Sequence, residues 1–185
     1  MINNQYLVDV FDEIVSDVRE DYDTQLNERP YYLYGHPLDI NNVLTQKSNN
    51  AEFKYKKYPL IALVQDFTET HGSFPYFYTA SPKILIVHST QQAYNSEQRY
   101  ENVFKTILYP IYNKLIQNLL DSRLIDNSII EQLPHKKTDR LYWGKVGIQG
   151  NERKIFNDFL DAIEIDFTDL KIIRQITTCQ RDWQP

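Results

Sequence analysis

Residues 95–121 read NSEQRYENVFKTILYPIYNKLIQNLLD, and their apolar positions decide how the rest of the chain is read. Val103 and Phe104, Ile107 and Leu108, Ile111 and Tyr112, Leu115 and Ile116, and Leu119 and Leu120 recur as adjacent pairs about every four residues. That spacing places them on one stripe of a long α-helix, with Gln98, Arg99, Glu101, Asn102, Lys105, Asn113, Lys114 and Gln117 on the opposite side. Asn95 or Ser96 suits the start of the helix, and Glu97 lies in an acidic first turn. Pro110 removes one helical hydrogen bond and crowds the preceding turn, which predicts a kink near Thr106 to Tyr109. Immediately upstream, Lys83-Ile84-Leu85-Ile86-Val87-His88 reads as a buried strand.

Working outward, Tyr6, Leu7, Val10, Phe11, Ile14, Val15 and Val18 predict an N-terminal helix from about Asn4 to Arg19. Its outer side is acidic, with Asp9, Asp12, Glu13 and Asp17 in the body of the helix. Such a face is either simply solvated or presented to a partner or a channel. Tyr31-Tyr32-Leu33-Tyr34 is a short strand closed by Gly35 and Pro37, and Asp39 suits the cap of a brief helix bearing Ile40, Val43 and Leu44. Pro59 to Val64 is a second strand. Residues 67–82 mix turn formers with Phe74, Tyr76, Phe77 and Tyr78, a composition suited to a projecting arm or to a hairpin folded over its own sheet.

Beyond the long helix, Pro134 to Arg140 reads as a basic loop and Leu141 to Ile148 as a strand with two glycines. A short helix from 151 and then a strand from about Ala162 follow, with Leu170 to Ile176 pairing on that strand as a hairpin. The tail, about 177–185, has no period and ends near Trp183. These elements predict a single α+β domain over 1–185, a mainly antiparallel sheet packed by the N-terminal helix and the long kinked helix.

The totals narrow the function. A net charge of −5, from 25 acidic against 20 basic residues, argues against a general nucleic-acid binder. Cys179 is the only cysteine, which rules out an internal disulfide and fits assembly in a reducing compartment. No stretch approaches the roughly 20 apolar residues of a membrane span, and the acidic N-terminus is unlike a signal peptide. Fourteen tyrosines suit half-buried surfaces and interfaces.

Chemistry is sparse. Asp66, Glu69 and His71 are the residue types of a metal or acid–base site, and a metal-dependent nuclease built on Asp66 and Glu69 is the enzymatic alternative. No further ligand follows at a suitable spacing, and a polar turn accounts for them equally. His36, His71, His88 and His135 are scattered. Lys54-Tyr55-Lys56-Lys57-Tyr58 interleaves bases with aromatics, as in a small nucleic-acid-binding regulatory domain, or as a strand edge guarded by lysines. No phosphate loop or nucleophile turn is present, so neither a catalytic residue nor a metal or cofactor is expected.

Several segments carry a resemblance. They are Tyr34-Gly35-His36-Pro37-Leu38-Asp39-Ile40, Lys57-Tyr58-Pro59-Leu60-Ile61-Ala62-Leu63, Glu97-Gln98-Arg99-Tyr100-Glu101-Asn102-Val103-Phe104, Leu108-Tyr109-Pro110-Ile111-Tyr112, Tyr142-Trp143-Gly144 and Asn157-Asp158-Phe159-Leu160-Asp161-Ala162-Ile163-Glu164-Ile165. Together they resemble structural proteins of tailed phages and prophages of Bacteroidetes, crAss-like phages included. The order of elements is also similar to tail terminator and neck proteins. The resemblance implies a tail-terminator-like fold and a virion component at the head–tail neck, assembled in the bacterial host cytoplasm. Such a subunit forms a homo-oligomeric ring, six- or twelve-fold, that joins portal or adaptor to tail-tube proteins while DNA passes without specific binding. Phe74, Tyr76, Phe77, Tyr78 and Trp183 are then the expected interface residues, and Asp9, Asp12, Glu13 and Asp17 the expected acidic face.

Overall fold

The run Leu60-Ile61-Ala62-Leu63-Val64 is buried along its whole length, because both faces of the sheet that contains it are covered. The computed structural model describes residues 6–21, 29–52, 57–72, 77–126, 128, 130, 133–141 and 158–173. In chain order these form α1 (Leu7–Asp21), β1 (Tyr31–Gly35), α2 (Pro37–Asn49), β2 (Leu60–Val64), β3 (Glu69–His71), β4 (Phe77–Ala80) and β5 (Lys83–Ser89). Then come α3 (Ser96–Arg99), a π-helical stretch (Tyr100–Leu108), α4 (Tyr109–Asp121), β6 (His135–Thr138), β7 (Leu160–Asp166) and β8 (Leu170–Ile173). The fold is α+β, as the sequence predicts.

A five-stranded sheet has the order β1-β2-β5-β7-β6, parallel only between β1 and β2. Its strands alternate, so one face presents Ile61, Leu63, Ile84, Ile86, Ile163 and Ile165 to the helices. There the α1 residues Leu7, Val10, Phe11, Ile14, Val15 and Val18 meet Val103, Phe104, Leu108, Ile111, Leu115 and Leu119 in the main core. The other face gathers Leu60, Ala62, Val64, Leu85, Val87, Leu160 and Ala162 under Ile40 and Leu44 of α2. Burial of each such aliphatic side chain contributes about 1.5–3 kcal/mol.

A second sheet, β3-β4-β8, continues the first around a corner. β5 pairs with β7, and the residues leading into and out of them pair as β4 with β8, so one long antiparallel ribbon serves both sheets. At the corner, residues 167–169 lie opposite only residues 81–82. That extra residue bends the ribbon as a bulge does. Asp169 takes a left-handed φ of 51°, which aspartate tolerates, and its N–H donates to the Ser81 hydroxyl at 3.1 Å. Phe167 N–H closes the bend on Pro82 O at 3.0 Å. Ile125 bridges to Ile172 at the outer side of β8.

Several expectations are corrected here. The segment from Leu170 does not fold back on β7, because β5 and β6 already occupy both edges of β7; it pairs with β4 instead. The basic loop at 134–140 contains a strand, β6, whose charged exposed residues have no apolar alternation to announce it. In place of a simple kink at Pro110 the helix is widened ahead of it: nine residues bond in the π register, with Tyr109 N–H reaching Phe104 O, and α-geometry starts at Tyr109, with the proline in its first turn. Widening the turn relieves the clash between a proline ring and the carbonyl four residues earlier. His36, not Asp39, caps α2 by accepting from Leu38 N–H, with Pro37 in the first turn. At residues 67–82, Glu69–His71 and Phe77–Ala80 form a hairpin within the chain's own second sheet, not a free arm. Tyr78, expected on a neighbour, lies in the main core at 2% exposure. The strand expected at 141–148, the helix from 151 and the tail at 177–185 fall outside the described residues, Leu141 and the segment from Asp158 excepted.

Leu115 is fully buried whereas Leu38 is 53% exposed. Leu115→Ala should therefore lower the unfolding free energy by about 2–5 kcal/mol in urea titrations. Leu38→Ala should change it by no more than about 0.5 kcal/mol.

Candidate functional site

Two arrangements of polar and aromatic side chains stand out, one exposed and one buried. The exposed one is an open groove of about 250 Å³ between α1 and β1, lined by Val8, Asp9, Asp12, Tyr32, Leu33 and Tyr34. Helical spacing brings Asp9 and Asp12 to one side of α1, and strand alternation turns Tyr32 and Tyr34 toward that helix. The Tyr32 hydroxyl donates to Val8 O at 3.2 Å, tying strand to helix. Burial, followed by the charge of Asp12, the Tyr34 ring hydroxyl and Asp9, holds the Tyr32 phenol well above its usual range. The two tyrosine rings lie 6.4 Å apart, and Tyr34 remains 53% exposed. Acidic on one wall and aromatic on the other, the groove suits a cationic group. β1 is also an edge strand of the sheet, so its outer side has no strand partner among the described residues.

Asp9, Asp12, Glu13 and Asp17 are all exposed, in keeping with an outward acidic face. Phe77 is half-buried beneath the Lys171 ammonium, 4.5 Å from its ring centre. Phe74, Tyr76, Trp183 and Cys179 lie outside the described residues. Asp66, Glu69 and His71 are exposed, with His71 Nε2 3.8 Å from Glu69 Oε2 and its ring stacked on Tyr78 at 5.1 Å. Among the described residues no group of three potential metal ligands occurs. Lys57 and Tyr58 of the basic-aromatic run are buried and turned inward. Lys57 Nζ donates to Asp158 Oδ2 at 2.6 Å and to Ser48 Oγ at 2.8 Å, and Tyr58 OH donates to the same Asp158 oxygen at 2.9 Å. These donors are committed within the chain.

The buried arrangement centres on Arg99, which helical periodicity assigns to the solvent side but which is 1% exposed. Asn95 caps α3 through a reciprocal box with Gln98, and this fixes where Arg99 enters. Its Nη1 donates to Asp161 Oδ1 at 2.8 Å, its Nη2 to Gln91 O at 3.0 Å and its Nε to Tyr94 O at 3.1 Å. Arg140 N–H also donates to Asp161 Oδ1, at 2.9 Å. His88 lies directly across the strand pair from Asp161. Burial lowers the His88 pKa to about 4, opposed in part by the charge of Asp161. His88 Nδ1 and Asp161 Oδ2 are both buried with no hydrogen-bond partner among the described residues. The network locks the start of the long helical segment to β7. A single weak signal marked it in the sequence: an aspartate set inside an apolar strand run needs a cation.

The chain has no helix long and apolar enough to cross a membrane among the described residues. It matches no protein-family model and no curated protein.

Arg99→Ala should cost about 3–5 kcal/mol by leaving the Asp161 charge buried and uncompensated. The double variant Arg99→Met/Asp161→Leu should be less damaging than either single change, as read from urea midpoints. The folded pKa of His88 lies below its unfolded value of about 6.5, so its contribution to stability is complete above pH 6.5 and is lost as pH falls toward 4. His88→Gln should remove that portion of the acid dependence, visible as a smaller loss of Tm between those two pH values.

Proposed function

We propose that the protein is a non-catalytic structural subunit whose function is stable contact with copies of itself. In its most specific form it is a ring component at the head–tail junction of a tailed phage virion, a neck, tail terminator or connector protein joining portal or adaptor to the tail. The observation that carries this reading is the pair of open edges on the five-stranded sheet. β1 and β6 each lack an outer strand partner among the described residues, and each is flanked by an exposed tyrosine, Tyr34 at β1 and Tyr100 at the other side. Exposed edges of this kind associate readily, and a subunit with two different edges can be extended on both sides. The acidic outer side of α1 and the net charge of −5 support a wall along which DNA slides without adhering.

The resemblance to phage neck proteins supplies the virion setting, and the two committed lysine and tyrosine donors at residues 57 and 58 speak against a nucleic-acid-reading role for that part of the basic run. Native mass spectrometry across the micromolar range, with negative-stain imaging, tests the reading. Closed rings of six or twelve subunits are the expected result. A strict monomer, both alone and with co-expressed portal and tail-tube proteins, would sink it. Asp66→Asn/Glu69→Gln should assemble like the unaltered protein, apart from a loss of at most about 1 kcal/mol from surface ion pairs. Metal-dependent cleavage of DNA by the unaltered chain, abolished in this variant, would replace the structural reading with the nuclease one.

A further inference from the structure

The two edges of the five-stranded sheet that are without an outer partner among the described residues differ in charge. Beside β1 stand Asp9 and Asp12 of α1, both exposed. Along β6 run His135, Lys136 and Lys137, the Lys136 side chain 67% exposed. Lys137 Nζ lies 3.5 Å from Asp139 Oδ1 of its own copy, 5.3 Å from the ring centre of Tyr100 and 4.5 Å from that of Phe104, so the β6 edge carries its own aromatic flank and a cation whose partner is only partly buried.

We propose that, within the self-associating reading above on which this rests, copies join edge to edge: β6 of one copy lies along β1 of the next, and Lys137 and His135 face Asp9 and Asp12. Three features of the fold converge on this pairing. Strand direction is the first. β1 and β2 run one way, β5 the other, β7 back again, and β6 opposite to β7. A sheet continued from copy to copy therefore sets β6 antiparallel to β1, the pairing with the better hydrogen-bond geometry. The second is the face. Tyr32 is in register with Ile61, and His135 and Lys137 with Ile165 and Ile163, all on the helix-covered side. Across the joint, the cations of β6 and the acid–tyrosine groove beside β1 then lie on one face. The third is selection by charge. A β1–β1 contact would oppose two acidic α1 flanks, and a β6–β6 contact would oppose two rows of lysine.

The lysines of β6 thus discourage pairing with a like edge while favouring the acidic one. The contact is heterologous, and it generates a ring when the rotation from copy to copy closes on itself. The ladder is short, four residues of β6 against five of β1, so Tyr34 at 53% exposure and Tyr100 at 41% are placed to supply apolar contact area beside it.

The test uses the full chain and two charge-reversed variants, Lys137→Glu and Asp9→Lys/Asp12→Lys, followed by sedimentation velocity, with circular dichroism to verify folding. Each variant alone should associate about tenfold or more weakly than the unaltered protein. Mixed in equal amounts the two should assemble again, because each reversed edge then meets its complement. Assembly of the unaltered protein should also weaken as salt rises. Should Lys137→Glu fail to fold, the α1 variant and the salt series decide, since neither alters β6. Folded variants that assemble like the unaltered protein, or a mixture with no recovery, would overturn the edge pairing and leave the ring reading standing. A strictly monomeric unaltered chain would overturn both.

Discussion

Strand β7 is the constraint around which the molecule is organised. It is hydrogen-bonded on both edges, to β5 and to β6, and its residues from Leu160 to Ile165 are buried. Yet it carries two buried carboxylates, Asp161 at 0% exposure and Glu164 at 3%. Alternation sends them to opposite faces of the sheet, and a buried carboxylate needs hydrogen bonds or a cation. On the helix side, Arg99 answers Asp161, which anchors the entry of the long helical segment. On the other side, the Thr138 hydroxyl donates to Glu164, with the Lys136 and Lys83 ammonium groups 3.4 and 3.8 Å from its oxygens. The edge strand β6 and the neighbour β5 are thereby held to β7 by charge as well as by backbone pairing. The arrangement specifies register more than it adds stability, because a one-residue slip would send each carboxylate to the wrong face.

From that strand the rest follows outward. With both edges of β7 occupied, the chain beyond Asp166 leaves the sheet, and the extra residue at 167–169 turns it through the corner onto β4. Glu69–His71 and Phe77–Ala80 are drawn into the same corner, which explains how Tyr78 comes to lie in the core. Among the described residues, β1 and β6 remain as the two opposite edges of the sheet, with opposite charge environments. The features that close the interior and those that leave the periphery open thus come from one sheet order.

Local pattern was enough to read the two main helices, the strands at residues 31–35, 60–64 and 83–89, and the α+β class, because a helix stripe packs on one face and a strand covered on both faces shows as a continuous apolar run. The acidic side of α1 was equally legible, since helical spacing alone exposes Asp9, Asp12, Glu13 and Asp17. What depended on partners far along the chain was not legible. Arg99 looked solvated until the strand 62 residues away brought Asp161 beneath it. Lys57 belonged to a run that suited either nucleic-acid binding or a guarded strand edge, and its partner Asp158 lies 101 residues on. β6 had no apolar alternation, because its residues His135 to Lys137 are exposed charged or polar groups at the sheet edge and bury no apolar face. The groove between α1 and β1 required a tyrosine pair and an acidic helix to meet, and only the parallel pairing of β1 with β2 under α1 brings them together. Local spacing determines which face each element buries. Tertiary structure alone decides which charge meets which, because pairing across distant strands leaves no trace in either segment by itself.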